Sequence, residues 1–117
     1  MPAYLAVLYT KPDRWTNVSR EEMRRIMLEY RPWREALEAR GHFLHGHKLA
    51  DGTGRVLRGR QKVKVIDGPF SESKEVVGGY IALRASGYDE AIELLLDCPH
   101  LRYDGTIEVR EIEEPPR

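Results

Sequence analysis

The pattern of apolar and polar positions along the chain predicts two central strands. The segments "AYLAVLYT" near the N-terminus and "GYIALRAS" in the second half are apolar at consecutive positions. Side chains of a strand alternate between two faces, so a strand that is apolar at every position is covered on both of them. We therefore expect these two segments to lie in the middle of a sheet.

The remaining strands are predicted from shorter segments that alternate less strictly. They are "HFLHGHKL", "RVLR", "QKVKVID" and "GTIEVREIE". In the third of these, Val63 and Val65 are expected to face inward, and in the last one Ile107 and Val109 take the same role.

Two helices are predicted from apolar residues at a spacing of three and four. The first begins after Ser19, which forms a capping box with Glu22, and ends at Gly41. Its apolar stripe keeps its phase across Pro32, so we expect one kinked helix. The stripe consists of Met23, Ile26, Met27, Tyr30, Trp33 and Leu37. The second helix lies in "GYDEAIELLLDC", with a capping box formed by Ser86 and Asp89.

The order of these elements, β-α-β-(β-β)-β-α-β, predicts an α+β ferredoxin-like sandwich with both helices on one sheet face. The other face then carries apolar side chains that need a cover, and a second copy of the sheet provides one. We predict a homodimer, a dimeric α/β-barrel. Residues 1–117 form one domain, in which 113–117 are a loose C-terminal tail.

Composition narrows the classes of function. Lys+Arg and Asp+Glu are both 19, so a general basic excess that would bind nucleic acid is absent. The N-terminal apolar run is too short to span a membrane and has no basic segment before it. The chain has a single cysteine, Cys98, so it cannot form a disulfide within one chain. We therefore expect the protein to be located in the reducing cytoplasm, and we expect Cys98 to be a buried thiol with a structural role. No phosphate-binding or dinucleotide motif is present, so no cofactor is predicted.

Histidines supply two candidate sites. His45 and His47 share one strand face and could ligate a transition metal, but two imidazoles alone are also what a polar strand face carries. His100 follows the second helix and could act as a general base near neutral pH. The alternative for His100 is a surface residue held by hydrogen bonds.

The stretch "DGPFSESKE" is the most specific local pattern. Gly68 begins a turn, and Asp67 can accept hydrogen bonds from the turn. The functional alternative makes the stretch one wall of a pocket. Phe70 would then be the apolar part of that wall, and Asp67, Lys74 and Glu75 would be its polar groups.

The extended stretch "DGPFSESKEVVGGY" resembles the signature of the YCII-related family, in its branch named after the Asp-Gly-Pro-Phe motif. The matching residues are Asp67, Gly68, Pro69, Phe70, Glu72, Lys74, Glu75, Gly78 and Gly79, with Tyr80 at an aromatic position. The resemblance implies a ferredoxin-like dimeric barrel, a bacterial cytoplasmic protein and a link to sigma-factor pathways.

The wider family also suggests chemistry. Some relatives remove chloride from hydroxylated aromatics, and a His on the first helix paired with an Asp is the proposed catalytic dyad. The first helix of this chain has no His, and Tyr30 or Trp33 stands in the region where it is expected. The dyad therefore cannot be transferred to this sequence.

From these observations the sequence predicts a small-molecule binding or regulatory module with a cleft beside the sheet. Phe70, Lys74, Glu75 and Tyr80 are the predicted ligand-binding residues. The alternative is a small acid/base enzyme, a lyase, isomerase or dehalogenase acting on an aromatic or enol substrate. In that case Asp67 and His100 are the acid/base pair, Lys74 stabilises an anion and Tyr80 orients the substrate.

Overall fold

The structure, a computed structural model, describes residues 1–68 and 74–115 of the chain. In this part of the chain there are six strands, two helices and one short 3₁₀ segment. In chain order they are β1 (Ala3–Thr10), α1 (Arg20–Ala39), β2 (Phe43–Lys48), β3 (Arg55–Arg58), β4 (Lys64–Asp67), β5 (Val76–Arg84), α2 (Tyr88–Leu95), the 3₁₀ segment (Pro99–Tyr103) and β6 (Thr106–Glu111).

Four of the strands form one antiparallel sheet in the order β2-β5-β1-β6. The two segments predicted as central strands are β1 and β5, and they do lie in the middle. With α1 between β1 and β2, and α2 between β5 and β6, the sheet and helices follow the predicted β-α-β-β-α-β order. Both helices pack on the same face of this sheet.

Strands β3 and β4 form a separate two-stranded sheet. The prediction that Val63 and Val65 face inward is wrong, because their exposed fractions are 56% and 62%. Among the described residues β3 and β4 pair only with each other, and neither face of this hairpin packs on the core. The alternation of valine with lysine correctly indicated a strand. It also led to the prediction that the valines face the core, and this hairpin has no such buried face.

The core lies between the helices and one face of the central strands. On β1 the buried positions alternate, with Tyr4, Ala6 and Leu8 facing the helices. They join residues from both helices, such as Leu37 of α1 and Leu94 of α2, in one apolar cluster. On β6, the half-buried Ile107 and Val109 pack against this cluster, as predicted for their inward face.

Helix α1 is a single helix that runs through Pro32, as the unbroken phase of its apolar stripe predicted. It begins at its predicted cap, where the Ser19 hydroxyl accepts a hydrogen bond from the Glu22 N–H at 3.0 Å. The helix ends before Gly41, whose φ of +77° favours glycine. Residues before and after Pro32, such as Tyr30 and Trp33, therefore line the same cavity above the sheet.

Helix α2 begins differently from the prediction. Its N-cap is Gly87, with no hydrogen bond from a side chain, so the predicted capping box of Ser86 and Asp89 does not form. Instead, the Glu90 carboxylate accepts a hydrogen bond from the Ser86 N–H at 2.8 Å. The helix therefore starts one residue later than the predicted capping box required. The carboxylate that accepts the hydrogen bond from the Ser86 N–H belongs to Glu90 and not to Asp89. No helix in the described residues is both long and apolar enough to cross a membrane.

The continuous path of α1 through Pro32 generates a stability prediction. Proline in a helix interior removes one hydrogen bond and clashes with the preceding turn, at a cost of about 3 kcal/mol. We expect Pro32→Ala to raise the free energy of unfolding by about 1–3 kcal/mol, since the gain is reduced by the greater freedom of the unfolded chain. Urea denaturation measures this change.

The control is Pro12→Ala, which removes a proline from the turn before α1. This change should leave the free energy of unfolding within about 0.5–1 kcal/mol of the original value. An unchanged or lower stability of the Pro32 variant would show that the proline is compatible with its place in the helix.

Candidate functional site

A cavity of about 270 Å³ lies between α1 and the helix-facing side of the sheet. Strands β1, β2 and β5, helix α1, the loop before it and the 3₁₀ segment all contribute lining residues. The cavity lies at the end of the sheet where β1 finishes at Thr10. Its position between two well-packed layers makes it the candidate ligand site of the described chain.

Glycines form the sheet side of the cavity. Gly46 on β2 and Gly78 on β5 both line it, and neither has a side chain to fill the space below α1. A Cβ on Gly46 would lie 2.9 Å from the carbonyl oxygen of Tyr80, and one on Gly78 would lie 3.0 Å from Cγ2 of Thr10. Larger residues at these positions would force neighbouring groups apart.

Irregular strand pairing accompanies these glycines. The register between β1 and β5 shifts at Leu8, so that Gly78 has no paired residue. A second shift between Phe43 and His45 displaces the pairing of β2 with β5. Bulges of this kind bend a strand locally and are frequent beside functional sites.

Aromatic and sulfur-containing side chains form the walls on the helix side. This group consists of Trp15, Met23, Met27, Tyr30, Trp33 and Phe43. The indole N–H of Trp33 donates a hydrogen bond to the carbonyl oxygen of Leu94 at 3.1 Å, which leaves its ring as an apolar surface. The shape and polarity of these walls suit a flat apolar ligand.

The wall that contains Trp15 is held by contacts with the 3₁₀ segment. The Arg14 guanidinium lies 4.6 Å from the centre of the Trp15 ring, and Arg14 Nε donates to the carbonyl oxygen of Tyr103 at 3.2 Å. The Tyr103 hydroxyl in turn donates to the carboxylate of Glu29 at 2.7 Å. These contacts link the loop before α1 to both α1 and the 3₁₀ segment.

His100, the predicted general base, is among the residues that line the cavity. It is only 7% exposed, and its Nε2 lies 2.7 Å from the carbonyl oxygen of Tyr9. A carbonyl oxygen accepts, so Nε2 carries a hydrogen and the neutral ring has its lone pair on Nδ1. The backbone turn at Gly105 packs against the ring, and a Cβ at Gly105 would overlap the imidazole.

Charged residues of the cavity wall are paired with acids. Arg34 Nε lies 3.2 Å from the carboxylate of Glu38, and its guanidinium lies over the ring of Phe43. Lys48 Nζ lies 2.8 Å from the carboxylate of Asp51. Both pairs are partly exposed, so they form a polar rim around an apolar interior.

Two groups near the 3₁₀ segment have a raised pKa. Burial raises the pKa of the Cys98 thiol to about 11, so the thiol stays protonated near neutral pH and is a poor nucleophile. This agrees with the predicted buried structural thiol. Burial also raises the pKa of the Tyr30 phenol, with smaller contributions from Cys98 and Tyr103. Tyr30 therefore remains a neutral phenol that can donate a hydrogen bond.

Other predicted site residues lie elsewhere. Asp67 is on β4, where its side chain is 91% exposed and lies 3.4 Å from Arg55 Nε. Lys74 and Glu75 are exposed just before β5. None of these three is among the described residues that line the cavity. Phe70 lies outside the described residues, so its predicted role stays a prediction.

Tyr80, His45 and His47 form a cluster on strands β5 and β2. His47 pairs with Tyr80 next to the pair of Gly46 and Ile81, which faces the helices. Tyr80 and His47 are also among the residues that line the cavity, whereas His45 is not. The Tyr80 ring contacts both imidazoles, and its hydroxyl lies 3.3 Å from His45 Nδ1. In the described residues no group of three or more metal-ligating side chains includes these histidines.

Most of the cavity was not predicted from the sequence pattern. Tyr30 and Trp33 were assigned to the apolar stripe of the first helix, and Thr10 was not singled out. One signal was present in the sequence. The stripe of α1 is unusually rich in large side chains, and the strands that face it contain glycines. Such a combination leaves space that no side chain fills.

Comparisons with known proteins agree with this architecture. The family model described as "YCII-related domain" matches residues 3–115. No curated protein matches the chain. The structure is similar to that of 5-chloro-2-hydroxyhydroquinone dehydrochlorinase (TftG) from Burkholderia phenoliruptrix AC1100 in complex with 2,5-dihydroxybenzoquinone. The TM-score is 0.53 at 13% sequence identity, over 98% of this chain and 96% of the other. At this identity the likeness shows a common fold.

Proposed function

The chain belongs to the YCII-related family, and we propose that it binds a small aromatic molecule in the cavity between α1 and the sheet. The observation that carries this proposal is the construction of the cavity. Aromatic and methionine side chains form its walls, glycines form its floor, and paired charges surround it. Sites for small molecules are apolar in this way, with a few polar groups that fix orientation.

The volume of the cavity limits the size of the ligand. An apolar cavity of about 150 Å³ binds benzene in another protein. A volume of about 270 Å³ therefore accommodates a single ring with several substituents. The structural relative is bound to a ligand of that size, a substituted benzoquinone.

The first test is a binding measurement with 2,5-dihydroxybenzoquinone as the probe. Both tryptophans of the chain line the cavity, so a ligand that enters it should quench their fluorescence. It should also raise the melting temperature, because it binds the folded state only. We expect Met23→Trp, which places a larger side chain in the cavity, to weaken binding by about tenfold or more.

The matched control is Leu28→Trp, which adds the same side chain to an exposed position of α1 outside the cavity. Its melting-temperature shift with the probe should equal that of the unmodified chain. If the two variants lost the shift equally, the ligand would not occupy this cavity. If a panel of single-ring aromatics gave no shift with the unmodified chain, the proposed binding function would be wrong.

A second candidate function is acid/base catalysis by His100. The observation that favours it is the fixed tautomer of this residue in the cavity wall, with Nδ1 as the nitrogen that can accept a proton. Loss of HCl from a chlorinated hydroxyaromatic needs such a group, because a proton is removed while chloride leaves with the electrons of its bond to carbon. The structural relative is named as a dehydrochlorinase.

The test is chloride release from 5-chloro-2-hydroxyhydroquinone. We expect His100→Gln to reduce the rate by about a hundredfold, the usual size of a lost general base. Glutamine can still donate an amide N–H to the carbonyl oxygen of Tyr9, so the fold should be retained. His45→Gln, the same change at a histidine outside the cavity, is the control. Absence of chloride release by the unmodified chain, or equal rates in both variants, would exclude this candidate.

The open face of the sheet supports the predicted dimeric barrel. Leu5 and Val7 lie on this face of β1, opposite the buried positions that contact the helices. We propose that a second copy covers them, as expected for apolar side chains at the centre of a sheet. The predicted cytoplasmic location and link to sigma-factor pathways stay predictions.

Native mass spectrometry tests the dimer. We expect twice the mass of the chain for the unmodified protein and the mass of a single chain for Val7→Arg, because an unpaired charge at the centre of the interface opposes association. Leu28→Arg, a change on the exposed part of α1 outside the cavity, should remain dimeric. A monomer at micromolar concentration without any substitution would contradict the proposed assembly.

A further inference from the structure

Three polar groups on the cavity wall have hydrogen-bonding capacity that no described residue satisfies. They are the Thr10 hydroxyl on β1, the Tyr30 hydroxyl on α1 and Nδ1 of His100 on the 3₁₀ segment. The hydrogen bonds of the described residues leave all three without a partner, although Nε2 of His100 is bonded. The three groups lie on three different elements that line the same apolar cavity.

These groups open into the cavity. Thr10 and His100 are each only 7% exposed, so little of either side chain reaches the outer surface. At the same time, no fully enclosed side-chain nitrogen or oxygen in the described residues lacks a partner. The unpaired atoms therefore have free space beside them, and the cavity that both residues line is that space.

The three groups belong to the same end of the cavity. His100 is bonded to the carbonyl oxygen of Tyr9, the residue before Thr10. The Tyr30 phenol interacts electrostatically with Cys98 and Tyr103, on either side of His100 along the chain. The hydroxyl of Tyr30 is thus close to the segment that contains His100, while the tryptophan and methionine side chains form the apolar walls.

Their chemistry defines what they can bind. Two hydroxyls can donate, and Nδ1 of a neutral His100 can accept. A phenolic O–H matches this set, since its oxygen accepts from the hydroxyls while its hydrogen is donated to Nδ1. A carboxylate matches it poorly, because the nearby cations Arg34 and Lys48 are already paired with acids.

We propose that Thr10, Tyr30 and His100 form the part of the cavity that recognises a hydroxyl group on the ring of an aromatic ligand. This inference rests on the proposed binding function and adds to it the residues that select for the hydroxyl. Tyr30 and Thr10 donate hydrogen bonds to the ring oxygen, and His100 accepts the hydrogen of the ring hydroxyl. The aromatic walls hold the ring itself.

The experiment compares phenol with toluene, two ligands of nearly the same shape that differ in the hydroxyl. Binding is measured by tryptophan fluorescence, excited at the red edge of the absorption band where neither ligand absorbs. We expect Tyr30→Phe to weaken phenol binding by about tenfold and to change toluene binding by less than about twofold, as for the loss of one hydrogen bond in an otherwise unchanged cavity. Thr10→Val should have the same selective effect.

The control is Tyr88→Phe, which removes a hydroxyl that accepts a hydrogen bond from the Glu111 N–H, outside the cavity. It should leave the affinities for both ligands unchanged. If phenol and toluene bind the unmodified chain equally and Tyr30→Phe changes neither, the recognition site is wrong and the aromatic cavity stands. If neither ligand binds, the proposed binding function fails together with the inference.

Discussion

The separation between α1 and the sheet is the constraint on which the site depends. Large side chains on the helix, such as Tyr30 and Trp33, face strands that carry Gly46 and Gly78 at the corresponding place. The large residues line the space from the helix side, and the glycines add no side chain to it from the sheet side. Close packing elsewhere in the core, around Leu83 and Leu94, keeps the two layers from collapsing onto this space. The cavity is therefore a product of residue sizes on two facing layers.

The fold also determines which polar side chains line the apolar cavity. His100 reaches the cavity because the chain turns sharply after α2 and because its Nε2–H is anchored on the carbonyl oxygen of Tyr9. That anchor fixes the tautomer without using the second nitrogen. The adjacent Cys98 is kept protonated by burial, so it adds no charge beside the imidazole. The result is a small set of polar atoms at one end of an aromatic cavity, which is the composition expected of a site for small rings with polar substituents.

Regular features of the fold could be predicted from the sequence because each follows from local periodicity. The apolar runs identified β1 and β5 as central strands, and the phase across Pro32 identified α1 as one helix. Features that depend on tertiary context were harder to predict. Val63 and Val65 alternate with lysines as in any half-buried strand, but in the part of the chain that the structure describes no other layer covers them. The cavity was missed for a related reason, since a gap between layers arises from pairs of positions far apart in sequence.

The absence of a histidine on the first helix changes the chemistry available to this chain. A histidine near neutral pH both gives and takes protons, whereas the neutral Tyr30, whose pKa is raised by burial, donates hydrogen bonds and does not act as a base. Any proton acceptor in the cavity must then come from another element, and His100, whose Nε2 is anchored and whose Nδ1 is left over, is one such residue beside His47 and Asp51. The binding and catalytic readings thus share one geometry. They differ only in whether the proton that His100 accepts in a hydrogen bond is also transferred.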